Sequence, residues 1–339
     1  MGLLHELSEK YKTLSVVGMA KNAGKTTTLN FLIEEAMDEG IRLGVTSTGR
    51  DGETQDLVTG TEKPRVYLEQ DTIVSVPVSL YDLSEAGLEI IKKTPYSTSI
   101  GELLLCRVAE SGYVQIAGPV AAAETKKLCQ DMFDLGCGLV LIDGAIDRRS
   151  VAAPQTSDAV ILATGAALSR NLKKITEETA HVVGLYRLPE LSEPLLKEKI
   201  RAEAAEEKIL LSDGREGCKT FNLKTGLGAG KYIDDAIEDD TKYVYMPGAL
   251  TGSIISAISP KHLKQVCFLL KDPTKIFISS ADWRTLWKKG LRVKVLKNIE
   301  VAAVTVNPWA PEGYSFSGEQ LCSALQEAIP QMRIIDVRM

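Results

Sequence analysis

The sequence predicts an α/β protein: a mostly parallel sheet flanked by helices, joined to a second, smaller α/β domain. Three observations predict it. Apolar or β-branched runs alternate with helical stretches through the first half, the pattern of parallel strands connected by helices. A second alternation of short apolar runs and helical segments begins near residue 208. The chain has 339 residues, beyond the roughly 250–300 at which single hydrophobic cores stop growing.

Taken in order, the first half predicts strands near 13–18, 42–47, 72–77, 112–117, 138–143, 158–163 and 182–187. Helices are predicted near 25–39, 82–92, 99–109, 122–135 and 171–181. After Leu191 the stretch "SEPLLKEKIRAEAAEEK" is charged and helical, with large apolar residues only at Leu195, Leu196 and Ile200. It reads as a solvated helix between two units. The predicted domains are therefore 1–190, a helical linker 191–207, and 208–339. In the last of these, "YVYMPG", "KQVCFLL", "KIFIS", "VKVL", "VAAVTV" and "MRIIDV" read as strands, with helices around 250–258, 260–269, 281–289 and 317–328.

Composition narrows the function classes. Hydrophobic residues make up 44% of the chain, and 45 acidic residues against 40 basic ones leave a formal charge of −5 with no long block of either sign. No basic stripe for nucleic acid is evident. The six cysteines form no C-x-x-C pair and the three histidines stand alone, which speaks against a zinc site or a disulfide framework and for a reducing cytoplasm. "MGLLHELSEKYK" lacks the pattern of a signal peptide, and no apolar run approaches the length of a membrane span. The expected location is cytoplasmic.

The chemistry-bearing stretch is "VVGMAKNAGKTTTLNFL", Val16 to Leu32: an apolar strand, a short polar loop, Gly-Lys-Thr, then a helix. Glycines let the backbone turn sharply so that successive N–H groups point inward at phosphate oxygens. The helix that follows presents its positive end to the same phosphates. The expected nucleotide contacts are Gly18, Lys21, Asn22, Ala23, Gly24, Lys25, Thr26 and Thr27. Lys25 is placed to reach the β- and γ-phosphates and Thr26 to ligate magnesium. This is the strand-to-helix context of a P-loop NTPase sheet; a turn that merely happens to contain Gly-Lys-Thr is the plain alternative.

"GLVLIDGAID" ends an apolar strand in Asp143 and Gly144, the form of a carboxylate that holds magnesium or its water beside the loop; an aspartate capping the next element is the plain alternative. Lys25 and Asp143 are the catalytic candidates. The second strand leads into "STGRDGE", where Asp51 and Glu53 are candidates to hold magnesium or position water, Asp51 joining Thr26 and Asp143 as a candidate ligand, and Arg50 is a candidate phosphate contact; an ordinary polar turn accounts for the same residues. Gly118 and Pro119 in "IAGPVAAAET" suit a tight turn before a helix. Arg148 and Arg149 follow the strand carboxylate and are candidates for stabilising transferred phosphate, although paired surface arginines are common.

Two later stretches are weaker. "TGLGAGKY" holds Gly226, Gly228, Gly230 and Lys231 but lacks the hydroxyl residue after lysine and a preceding apolar strand, so a flexible glycine loop is expected. "TVNPWAPEGYSFSGE" places Trp309 and Tyr314 in a proline-stiffened loop suited to a partner or small ligand, or packed on its own domain. No N-K-x-D motif of guanine-reading GTPases occurs, which favours ATP.

Between Gly18 and Gly24 stand five residues, one more than in G-x-x-x-x-G-K-[ST]. In this the loop resembles those of dethiobiotin synthetase and the cobyrinate amidating enzymes, and Lys21 resembles the extra lysine of the deviant Walker A class, displaced by one position. Through "GMAKNAGKTTTLN", "LIDGAIDRRS", "SDAVILATGAALSRN" and "VNPWAPEGYSF" the whole chain resembles the accessory reactivase subunit that accompanies lysine 5,6-aminomutase and ornithine aminomutase. The resemblance implies an Mg-ATP-dependent helper. With a MutS-like ATPase partner, it would restore an adenosylcobalamin- and pyridoxal-phosphate-dependent mutase whose cobalamin is damaged. The alternatives are an ATP-dependent ligase of the dethiobiotin synthetase type and a nucleotide switch with little turnover. The ligase family's acidic-Gly-Ala-Gly-Gly stretch is matched only at Asp143, Gly144 and Ala145, and departs at Ile146.

Overall fold

The computed structural model describes residues 2–48, 66–144, 156–204, 208–215, 217–222 and 228–338. The chain is mixed α/β and divides into two compact units: Met1–Ala180 with Glu300–Met339, and His181–Ile299. Among the described residues no helix is long and apolar enough to cross a membrane.

The first unit begins with β1 Thr13–Gly18, β2 Leu43–Ser47, β3 Val66–Leu68, β4 Ile73–Pro77, β5 Gly87–Thr98, β6 Gly101–Glu110, β7 Gly112–Val114, β8 Leu139–Asp143 and β9 Ala159–Gly165. The second unit follows with β10 Ile209–Ser212, β11 Cys218–Phe221, β12 Tyr243–Met246, β13 Leu250–Thr251, β14 Cys267–Leu270, β15 Ile276–Phe277 and β16 Val293–Val295. The chain then returns to the first unit with β17 Val301–Asn307 and β18 Ile334–Asp336. This differs from the single C-terminal domain read over 208–339. "VAAVTV" is apolar enough to be buried on both faces, and it seats in parallel register against β9 rather than closing the second sheet.

The large sheet has the order β18-β17-β9-β1-β8-β2-β4-β6-β5. Pairings from β18 through β4 are parallel, and those of β6 with β4 and β5 are antiparallel. Helices Leu3–Lys10 and Lys25–Asp38 pack in one core cluster with Leu14, Val16 and Leu141. Helix Ala122–Asp134 buries Leu128, Cys129 and Met132 in another, with Val140 and Ile142. Adjacent strand residues thus serve opposite faces, as a sheet covered on both sides requires.

Helix Lys25–Asp38 has a legible beginning and end. It buries Thr28, Leu29, Leu32, Ile33 and Ala36 on one face. It stops where Gly40 takes φ +66°: the N–H of Gly40 donates to Met37 and that of Ile41 to Ala36, the paired bonds of a glycine-terminated helix.

Four predicted elements are corrected. The helices expected near 82–92 and 99–109 are the hairpin β5–β6. In β6, Leu104, Cys106 and Val108 join one core cluster while Leu103 and Leu105 join the other. "LLLCRV" is therefore a strand buried on both faces, whose continuous apolar run carries no visible period of two. The strand expected near 182–187 is the end of helix Leu172–Tyr186, where β-branched Val182 and Val183 are overruled by their context. The strand expected over 112–117 shortens to β7, which pairs with β3 in a separate two-stranded sheet.

In the second unit, β12, β14 and β16 are parallel and β10 and β11 antiparallel, in the order β11-β10-β12-β14-β16. Helix Pro194–Ala204 is packed here rather than acting as a solvated linker. Leu196 and Ile200, one turn apart, share a core cluster with Leu210, Tyr245 and Leu269, while Leu195 stays exposed. Helix Ala229–Ala236 replaces part of the expected glycine loop, and a Cβ on Gly230 would stand 2.3 Å from the Ile254 carbonyl oxygen.

All six cysteines are free: Cys106, Cys129, Cys137 and Cys267 are buried, and Cys218 is exposed. Burial pushes the thiols of Cys106, Cys137 and Cys267 up to about 11 and that of Cys129 up to about 12. Since the thiolate is the reactive form, a thiol reagent at neutral pH should consume Cys218 rapidly and these four only after denaturation. A single rate for all six in the native protein would contradict this packing.

Candidate functional site

The site forms at the carboxyl edge of the parallel strands, where open α/β sheets bind ligands. From β1 the chain passes over β8 to β2, and from β8 it passes over β1 to β9, so connections diverge at this point. The register aligns Val16 with Asp143, Ser47 with Asp143, Gly18 with Ala163 and Asn307 with Gly165. Four strand ends thereby meet around β1.

The turn from β1 to helix Lys25–Asp38 is tied down by its own backbone. Met19 N–H donates to Ala163, and Ala23 N–H to Ala20. Asn22 and Gly24 take φ values of +62° and +96°, the left-handed region that turns the chain tightly. Glycine is needed at 24 for a second reason. A Cβ there would stand 2.6 Å from the Cβ of Asn307, the last residue of β17. On the far side, a Cβ on Gly165 would stand 1.9 Å from the Asn307 carbonyl oxygen. Two glycines from different elements therefore make room for one asparagine. Thr28 and Thr305 share a 2.7 Å hydroxyl hydrogen bond beneath the turn, a second link between this helix and β17.

Lys25, the first residue of the helix, lies with its Nζ 2.7 Å from Asp143 Oδ1 and donates a hydrogen bond to the Gly144 carbonyl. Burial pushes the Asp143 carboxyl up from the ordinary carboxylate range, and the Lys25 ammonium pulls it back down. The end of β2 is laced to the same strand, with Ser47 Oγ and Thr48 N–H donating to the Asp143 carbonyl at 3.0 and 3.2 Å. Gly118 abuts that strand end: a Cβ on it would stand 1.7 Å from the Ser47 carbonyl oxygen.

A cleft of about 440 Å³ opens over the turn. Asn22, Gly24, Lys25, Thr26 and Thr27 line one side of it. Lys21 is exposed and Ala23 buried, and neither is among its lining residues; nor is Gly18. Asn307, Trp309 and Arg338 line it as well. Asn307 and Trp309 belong to a stretch already singled out in the sequence, whereas Arg338 carries no local signal; all three reach the cleft because β17 and β18 join this sheet.

Thr26 and Asp143 are the two magnesium candidates among the described residues. Thr26 lines the cleft at the helix start, and Asp143 Oδ1 is a buried acceptor whose one described partner is the Lys25 ammonium. Arg50, Asp51, Glu53, Ala145, Ile146, Arg148 and Arg149 lie outside the described residues, as does Gly226.

No protein-family model matches the chain, and the search of curated proteins likewise returns no match.

Proposed function

We propose that the chain is a P-loop protein that binds Mg-ATP. On this reading it works as the ATP-dependent reactivase subunit of a cobalamin-dependent amino acid aminomutase, together with a MutS-like ATPase. The observation that carries the nucleotide half is the meeting of Lys25 with Asp143. A lysine at the first turn of a helix, behind a left-handed glycine, contacts a carboxylate at the end of the neighbouring parallel strand. Backbone N–H groups in such a turn, with the helix terminus behind them, favour an anion. A polyphosphate entering the cleft competes with Asp143 for the Lys25 ammonium, and the carboxylate it releases is a hard oxygen donor of the type magnesium takes. Bound magnesium would neutralise phosphate charge; Thr26 and Asp143 would hold it.

The client half rests on the sequence resemblance. Radical mutases stall when the organic part of their cofactor is lost, and release of the tightly held remnant needs a helper whose affinity for the mutase differs between two states. Nucleotide-dependent shape change is a source of that difference.

The test is ATP hydrolysis by the full chain with and without inactivated aminomutase and the MutS-like partner. The expected result is partner-dependent turnover that falls about a hundredfold or more in Lys25→Ala, in line with loss of a charge-stabilising group, together with recovered mutase activity. Turnover unaffected by Lys25→Ala, with no recovery, rejects the reading and directs the search to small carboxylic acids as ligase substrates.

A further inference from the structure

Part of the cleft's lining comes from the returning segment of the chain, and its chemistry differs from that of the turn. Trp309 is 57% exposed, although the backbone around it is closely held. Its N–H donates to Asn307 Oδ1 at 3.1 Å, and the residue bridges in antiparallel fashion to Ser315. Ala310 N–H donates to Tyr314, and Phe316 N–H to Pro308. Tyr314 is itself anchored, its hydroxyl donating to the Ala166 carbonyl at 2.6 Å with the Arg170 guanidinium over its ring. An indole presented to solvent from a fixed backbone loses little freedom when it makes a contact.

Arg338 lines the same cleft and, among the described residues, forms no salt bridge. No carboxylate is found among the described residues lining this cleft. The cleft therefore combines the Lys25 turn with an exposed aromatic side chain and a second cation that forms no salt bridge among the described residues. Its volume lies within the range of small-molecule sites, about 300–1,000 Å³.

Resting on the nucleotide reading above, we propose that Trp309 is the stacking platform for the nucleobase and that Arg338 is a specificity-determining contact at the nucleoside end of the same ligand. A phosphate chain alone has no use for the indole, whereas a purine supplies the flat π-face that matches it. Stacking on this face discriminates nucleotide from bare polyphosphate, but distinguishes weakly between adenine and guanine, because each base has a π-face.

The test compares affinities of the full chain for Mg-ATP, Mg-GTP and inorganic tripolyphosphate, using Trp309→Leu, Trp309→Phe and Arg338→Ala. Trp309→Leu is expected to weaken Mg-ATP and Mg-GTP by about ten- to a hundredfold while leaving tripolyphosphate within about twofold. Trp309→Phe should recover most of the loss, because the aromatic face is kept. Arg338→Ala should weaken nucleotide more than tripolyphosphate. Unchanged Mg-ATP affinity in Trp309→Leu overturns the proposal. So does a parallel loss for tripolyphosphate, which would assign Trp309 to the shape of the loop. If the unaltered protein binds none of the three probes, the nucleotide reading itself falls.

Discussion

Gly165→Ala is expected to lower the stability of the chain by about 3 kcal/mol, at the upper end of the cost of overpacking a core. The added Cβ would meet the Asn307 carbonyl oxygen at 1.9 Å and its backbone nitrogen at 3.0 Å. Both are backbone atoms of the paired strand β17, so no rotamer change relieves the contact. Asn307 cannot retreat toward the turn, because its Cβ already occupies the space that a Cβ on Gly24 would need. The melting temperature should fall by about 6–12 °C for a unit of this size. Gly184→Ala is the matched control. That glycine lies inside helix Leu172–Tyr186 with nothing within 4 Å of its built Cβ, so alanine should stabilise by about 0.5–1 kcal/mol. A Gly165→Ala protein melting within about 1 °C of the unaltered one would refute the two-glycine fit around Asn307.

Lys25→Met is expected to destabilise the ligand-free protein by about 2 kcal/mol near neutral pH. Breaking a fully buried pair costs about 3–5 kcal/mol, and this one is discounted because Asp143 keeps 23% of its side chain exposed. The penalty should depend on pH with a definite sign. Burial holds the folded-state Asp143 pKa above its ordinary 3.8, so between the unfolded and folded values the folded state keeps a proton that the unfolded state has lost. The associated stability is full at low pH and declines as pH rises through the folded value. Removing Lys25 removes the one influence that lowers that value, which carries the decline to higher pH. Urea midpoints from about pH 8 to about pH 4 should therefore show Lys25→Met approaching the unaltered protein toward the acid end. Asp143→Asn should abolish this dependence in the Lys25→Met background. A Lys25→Met deficit that stays constant across the range would dissociate the two residues.

Most of the large sheet was legible in the sequence because β1, β2, β8 and β9 are short apolar runs punctuated by turn residues. Lys25 and Asp143 were legible for a related reason: Asp143 ends such a run and Lys25 opens the helix after one, and strand ends gather at one edge. What stayed illegible depended on distant parts of the chain. Leu103–Val108 reads as a helix until cores are known to lie on both its faces. The place of β17 beside β9 is a matter of pairing across more than a hundred residues, which no local period encodes. Arg338 enters the cleft only through that pairing. Trp309 could be singled out as an exposed aromatic, but nothing in its neighbourhood names Gly24 as the residue facing Asn307.

The return of β17 and β18 also sets a chronology. On a ribosome, β9 is made with an outer edge whose N–H and C=O groups must wait for the whole of the second unit to be synthesised, roughly ten seconds at ordinary elongation rates. The second unit is continuous from His181 to Ile299 and can close as soon as it emerges. The nascent first unit must meanwhile carry an open strand edge, the kind of surface on which chains pair wrongly. A chain truncated after Ile299 would be left in that condition permanently, without Asn307, Trp309 or Arg338. Synthesis through β18 and Arg338 is thus a condition for the cleft to be complete.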